Sequence, residues 1–207
     1  MIRYLFYEVK IAGNFWTWLL PVFFAILRLT GVIRHPNLSW LAFLEFVYPI
    51  PFPLLAYTIL EREKAGKTLE TLIATPQRKG PVFFWRYLIL TMPFFCSLVV
   101  IAHPKGGLLL LAPALLLGGS TLTLGLALGE EVGLGLGLGW WGISFVFGVT
   151  RPRLLGQGVA SWFLLALLPS PLPLQEVLLR KWVHLGAGVF LLLLALALTD
   201  RKRSWNY

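Results

Sequence analysis

Cysteine, charge and the polar amides are all in short supply in this chain. One cysteine, Cys96, occurs in 207 residues, which excludes an intrachain disulfide and any multi-cysteine metal site. It lies within an apolar run and is read as a packing residue. Charged residues make up 13 % of the chain against 57 % hydrophobic, with a mean hydropathy of +0.77. That balance lies outside the soluble globular range and points to a polytopic membrane protein. Asn, Gln, Cys and Met are all scarce, a pattern shared with thermophilic proteins. No G-x-x-x-x-G-K-[ST] sequence occurs, so the chain has no phosphate cradle and no lysine placed to hydrolyse ATP. His35, His103 and His184 fall in separate segments without ligand spacing, and no metal site is expected. Ser144, Ser161 and Thr123 have no base arranged beside them and are read as helix-packing hydroxyls, so no catalytic residue is expected. The opening MIRYLFYEVK is too polar for a signal peptide and lacks a small-residue cleavage site.

What is there is a series of apolar runs. A bilayer is crossed by about twenty apolar residues, so this length allows roughly six crossings with short loops. Spans are expected near Phe15–Gly31, Trp40–Leu60, Val82–Ala102, Gly107–Leu128, Val132–Val149 and Val183–Thr199. Ahead of the first, Ile2, Leu5, Phe6 and Val9 share a helix face, which predicts an amphipathic elbow helix in the interface over residues 1–14. Trp16, Trp18, Trp85 and Tyr87 mark the inner boundary, and Trp40 and Trp182 the outer one.

The net charge of +9 is carried by span-flanking residues rather than by a basic face with interleaved aromatics, so no nucleic-acid partner is expected. The N-terminal segment, the Glu61–Pro81 stretch and the C-terminal tail hold Arg3, Lys10, Arg62, Lys64, Lys67, Arg78, Lys79, Arg201, Lys202 and Arg203. The opposite loops hold Arg34, Lys105, Arg151, Arg153, Arg180 and Lys181. This bias assigns both termini and the charged loop to the cytoplasmic side of a cell (inner) membrane. Termini on one side require an even number of crossings, so the leftover apolar stretch Leu154–Leu168, closed by Pro169-Ser170-Pro171-Leu172-Pro173, is read as an outer re-entrant element within 150–182. The alternative is that this stretch spans and the weaker fifth run does not.

One strongly polar stretch, EREKAGKTLETLIATPQRKGP over 61–81, interrupts the runs. Within it Leu69, Leu72 and Ile73 fall at i, i+3 and i+4 and share one helix face. Gly66 and Thr68 provide a break and an N-cap, Glu70 sits in the first turn, and Pro76 forbids continuation. A helix this short has nothing of its own to cover that stripe. Either it docks on a partner protein, each side chain contributing about 1.5–3 kcal/mol on full burial, or the stripe dips into the membrane interface.

These features together resemble the permease subunit of type-2 ATP-binding-cassette (ABC) exporters. The first cytoplasmic loop of that family typically reads E-R-E-x-G-T-x-E-x-L-L-x-[TS]-P-x-x-R. Here Glu61, Arg62, Glu63, Gly66, Thr68, Glu70, Leu72, Ile73, Thr75, Pro76 and Arg78 follow it. Lys64 and Ala65 lengthen the approach to the glycine, and Lys67 separates Gly66 from Thr68 where the family has them adjacent. The resemblance extends to the layout of elbow helix, six spans and outer re-entrant element, although the specific motif is confined to the loop. It implies an all-α membrane fold and a single permease domain over 1–207. It also implies a second permease subunit, identical or different, and separate ATPase subunits that hold ATP and magnesium. Those ATPases would dock on Glu61, Glu63, Gly66, Thr68, Leu69, Glu70, Leu72, Ile73, Pro76 and Arg78. No cofactor is expected on this chain, and lipid is its remaining partner.

Other features admit two readings each. Arg28 and Glu45, charges within spans one and two, lie at similar depths and form either a pair lining a transport path or a structural salt bridge. Pro49, Pro51 and Pro53 are expected to break or kink span two. Gly125, Gly129, Gly133 and Gly137, with Gly135 and Gly139 between, predict close packing of spans four and five, within or between subunits, around a turn marked by Glu130 and Glu131. A lipid-modifying enzyme would need acids clustered with histidine. A secondary transporter would need internal repeats and several intramembrane acids. A haem-export-type permease shares the loop's E-x-x-x-G-x-L-E character. None of these patterns names a substrate.

Overall fold

The computed structural model describes residues 38–65, 79–101, 104–150, 162–165 and 172–201, with isolated positions 19, 22, 23, 26, 29 and 30 before them. The described residues are mostly helical, without a strand among them. The helices are α1 (Leu38–Val47), α2 (Pro51–Ala65), α3 (Lys79–Ile101), α4 (Pro104–Leu128), α5 (Glu130–Thr150) and α6 (Leu174–Arg201). Three stretches are long and apolar enough to cross a membrane: Ala42–Glu61, which runs through α1 and α2, Leu109–Leu128 in α4, and Leu174–Thr199 in α6. A shorter apolar stretch, Phe84–Cys96, lies in α3.

The distribution of polarity is that of a protein whose solvent is lipid. Leu179, Trp182, Val189, Phe190 and Leu193 of α6 are exposed, whereas Glu45, Thr121, Ser144, Arg180, Lys181 and His184 are buried. Apolar side chains in such number on the surface would be untenable in water and are at home in hydrocarbon. Leu19, Val22, Phe23, Ile26 and Leu29 are exposed as well, at a spacing that places them on one helix face.

The proline run breaks span two as its chemistry requires. Pro49, Pro51 and Pro53 lack the N–H groups that the carbonyls of Glu45, Val47 and Pro49 would receive in a continuous helix. The chain turns at Tyr48–Ile50 and restarts as α2. Ile50 N–H donates to Val47 O at 3.3 Å and Phe52 N–H to Pro49 O at 3.2 Å, so shorter loops of hydrogen bonding replace the lost ones. The Trp141 indole of α5 donates to Phe46 O at 3.0 Å, and its ring stacks on Phe46 with centroids 4.6 Å apart. The Tyr48 hydroxyl donates to Phe94 O, tying the break to α3.

Helix α4 is the hub. Of its apolar stretch 83 % is buried inside the protein, against 22 % for α6. It packs on every other helix of the set, and small residues set the approach. A Cβ on Gly119 would lie 2.8 Å from Gly188 O, and one on Gly188 would lie 2.7 Å from Leu116 N, so α4 and α6 meet backbone to backbone. Thr123 adds a hydrogen bond across this seam, donating to Leu191 O at 2.7 Å, which accords with its reading as a packing hydroxyl. Thr123→Val is expected to lower stability by about 0.5–1.5 kcal/mol, measured by thermal unfolding in detergent. An unchanged midpoint would show that the hydroxyl carries none of the seam.

Between α4 and α5 the chain reverses at Gly129, whose φ of 116° is open to glycine at little cost. Glu130 and Glu131 then occupy the first turn of α5, where the helix dipole favours anions. Two sequence assignments change here. Tyr87, expected at the interface, is buried, its hydroxyl directed at Gly118 of α4, because that glycine leaves room for the ring. Cys96, expected to pack, is exposed on α3.

Candidate functional site

The face that α6 turns to the bundle repeats at helical spacing: Val177, Arg180, Lys181, His184, Gly188, Leu192 and Ala195 are all buried. Three of these are basic or titratable, and they gather the polar chemistry of the described residues. The Lys181 ammonium forms an ion pair with the Glu45 carboxylate of α1, and both side chains are fully buried. The same ammonium donates to Leu165 O at 2.6 Å. One residue earlier, Arg180 Nη2 donates to Glu176 Oε1 at 2.5 Å, an i,i+4 pair along α6. Its guanidinium also stands over the Trp162 ring, 5.1 Å from the centroid. His184 Nε2 lies 2.7 Å from Trp162 O. A carbonyl only accepts, so that ring nitrogen carries the proton. Nδ1 is then a buried acceptor without a hydrogen-bond partner among the described residues.

A second element completes the cluster. Residues Trp162–Leu165 form a short irregular segment of one tight turn and a bend. Carbonyls in such a segment lack the partners a helix would supply, and in a low-dielectric setting each needs a donor. They receive them from side chains: Trp162 O from His184, Phe163 O from the Trp140 indole at 2.8 Å, and Leu165 O from Lys181. The segment is therefore held by α5 and α6 together. Leu165 fills the remaining space, packing with Leu116 and Leu117 of α4.

The expected pairing of Glu45 with Arg28 falls on a residue outside those described; among the described residues Glu45 forms an ion pair with Lys181. Arg180 and Lys181 were counted among outer-loop charges because the last span was expected to open at Val183. The helix opens instead at Leu174, where Pro173 O accepts from Glu176 N–H at 2.9 Å and Val177 N–H at 3.2 Å. That start carries both cations into the bundle. The signal was present: stepping back from Leu192 through Gly188 by the helix repeat reaches His184, Lys181, Arg180 and Val177. Trp140 and Trp162 had no comparable signal, since their roles depend on where a non-helical backbone passes.

Of the expected docking residues, Glu61 is exposed near the end of α2 and Glu63 lies in its last turn. Gly66, Thr68, Leu69, Glu70, Leu72, Ile73, Pro76 and Arg78 lie outside the described residues, as do residues 1–14 assigned to the elbow helix. Among the described residues no group of three or more His, Cys, Asp or Glu side chains is placed to hold a metal ion.

Among the described residues, Arg180 is paired with Glu176 and Lys181 with Glu45, an arrangement that joins the elements of the cluster firmly. Compared with known protein families and with curated proteins, the chain matches none.

Proposed function

We propose that this chain is the permease subunit of an ATP-binding-cassette exporter. It moves a substrate outward across a cell membrane with ATP hydrolysed by a separate subunit docked on the Glu61–Pro81 loop. In this reading the chain is an all-α, six-span protein with an interfacial elbow helix and an outer re-entrant element before the last span. Both termini are cytoplasmic, and a second permease subunit, identical or different, stands beside it. The observation that carries the reading is the loop sequence itself, in which the apolar stripe of Leu69, Leu72 and Ile73 is set among the charges of EREKAGKTLETLIATPQRKGP.

The framing of that loop supports it. Helix α2 ends at Ala65 and α3 begins at Lys79. Both helices send buried side chains into the main core, Ile59 and Leu60 from one and Tyr87 and Leu90 from the other. A force delivered to the ends of these two helices is therefore passed to a packed core. Burial of Arg180 and Lys181 adds to the charge argument. Without them the outer set is reduced to Arg34, Lys105, Arg151 and Arg153, which strengthens the bias towards cytoplasmic termini.

The test is purification of the tagged full chain from its own membranes, assayed for a bound P-loop ATPase and for ATP hydrolysis. Leu72→Asp and Glu70→Lys are expected to lower ATPase recovery by roughly tenfold or more, since an apolar contact of about 1.5–3 kcal/mol is lost or a helix-start anion reversed. Membrane insertion should be unchanged. Wild-type chain that retains no ATPase, or equal recovery in both variants, would remove the basis for the assignment.

A further inference from the structure

The ion pair and the irregular segment share one atom, the Lys181 Nζ. We propose that Lys181 is a two-way latch. Its ammonium holds the Glu45 carboxylate of α1 and the Leu165 carbonyl of the 162–165 segment at once, so that displacement of α1 loosens the Leu165 end of the segment from α6. The bridge rests on the geometry of this chain alone. Its use in transport, as the link between a pulled loop and the far part of the bundle, rests on the exporter reading above.

Three observations support a device rather than a static staple. First, Glu45 lies immediately before the break at Tyr48–Ile50, where the three prolines have removed the regular hydrogen-bond ladder. A break without that ladder is where α1 can change its angle to α2, against the ties that Trp141 and Tyr48 make there, and α2 leads directly to the charged loop. Second, a buried ammonium is stable only while its partners are in place. If Glu45 withdraws, Leu165 O alone cannot balance the charge, and Lys181 must follow the carboxylate or find water. Either move uncaps Leu165 O. Third, the other ties on the segment among the described residues are neutral hydrogen bonds from Trp140 and His184, the stacking of Arg180 on Trp162 and the packing of Leu165 on α4. These outlast the loss of Lys181 individually but leave the segment weakened at the Leu165 end.

Hydrogen–deuterium exchange of the purified full chain in detergent tests this without any ATPase, so its outcome is separate from that of the docking experiment. Two regions are followed, residues 38–47 and residues 162–165. In Lys181→Met both are expected to exchange at least about tenfold faster than in the wild type. Lys181→Arg keeps charge and donor and should remain within about threefold of the wild type. The exchanged pair Glu45→Lys/Lys181→Glu is decisive. It restores the attraction between α1 and α6, but a carboxylate at 181 cannot donate to Leu165 O. Slow exchange should return at 38–47 while 162–165 stays fast. Recovery of both regions or of neither overturns the latch, as does native exchange at 162–165 in Lys181→Met.

Discussion

Glu45→Gln and Lys181→Met should each lower the stability of the protein by about 3–5 kcal/mol, whereas the double variant should lose much less than their sum. The reason is the asymmetry of a buried ion pair. Both side chains are fully buried, so removing Glu45 leaves the Lys181 ammonium without its counter-charge, and removing Lys181 takes from Glu45 its ion-pair partner on α6. Removing both replaces two charges by an amide and a thioether of similar length, and the desolvation penalty vanishes with them. Double-mutant analysis of thermal or denaturant unfolding in detergent measures this, with a coupling of at least about 1 kcal/mol expected. Strictly additive costs would mean that the pair is solvated in the folded protein and that the cluster is no junction at all.

The second large effect concerns two glycines on the same helix, two residues apart. A Cβ on Gly133 would stand 2.6 Å from Gly125 Cα and 2.6 Å from Thr121 O, both backbone atoms of α4 that cannot rotate away. Gly133→Ala is therefore expected to cost about 1–3 kcal/mol through forced separation of α4 and α5. A Cβ on Gly135 meets nothing within 4 Å. Gly135→Ala should be neutral or stabilising by up to about 1 kcal/mol, since it improves helix propensity without a clash. Comparable losses in the two variants would refute the close α4–α5 seam. Gly188→Ala provides a parallel case at the α4–α6 crossing, where Leu116 N and Leu115 C lie 2.7 and 2.8 Å from the added carbon.

Much of the helical layout was legible because the bilayer imposes it. The fourth and fifth runs fall on α4 and α5, and the turn expected at Glu130 and Glu131 falls one residue earlier, at Gly129, whose φ of 116° glycine adopts at little cost, so that both glutamates open α5. The break in span two was equally open to reading, since each proline deletes a donor whatever surrounds it. The glycine run predicted close packing, but not its division into two faces. Gly125, Gly133 and Gly137 are pressed against neighbouring helices while Gly135, Gly139 and Gly142 meet open space, a distinction that period alone does not make.

The candidate site was half visible. Glu45 stood out as an acid within an apolar run, since such a residue needs a reason to be there. Its ion-pair partner in α6 did not, because a cation at the edge of a span reads as a flanking charge. Only the start of α6 at Leu174 takes Lys181 below that edge.

Composition and spacing, then, determined that this chain is a helical protein of the membrane, where its helices break and reverse, and which loop stands apart as polar. These are properties of short stretches of chain in a given solvent, and they need no knowledge of neighbours. Which buried charge meets which, and which side chains cap the carbonyls of Trp162–Leu165, was decided only when α5 and α6 were brought against the irregular segment and α1 against Lys181. Pairing of that kind depends on distances between residues far apart in the chain, and no local pattern carries it.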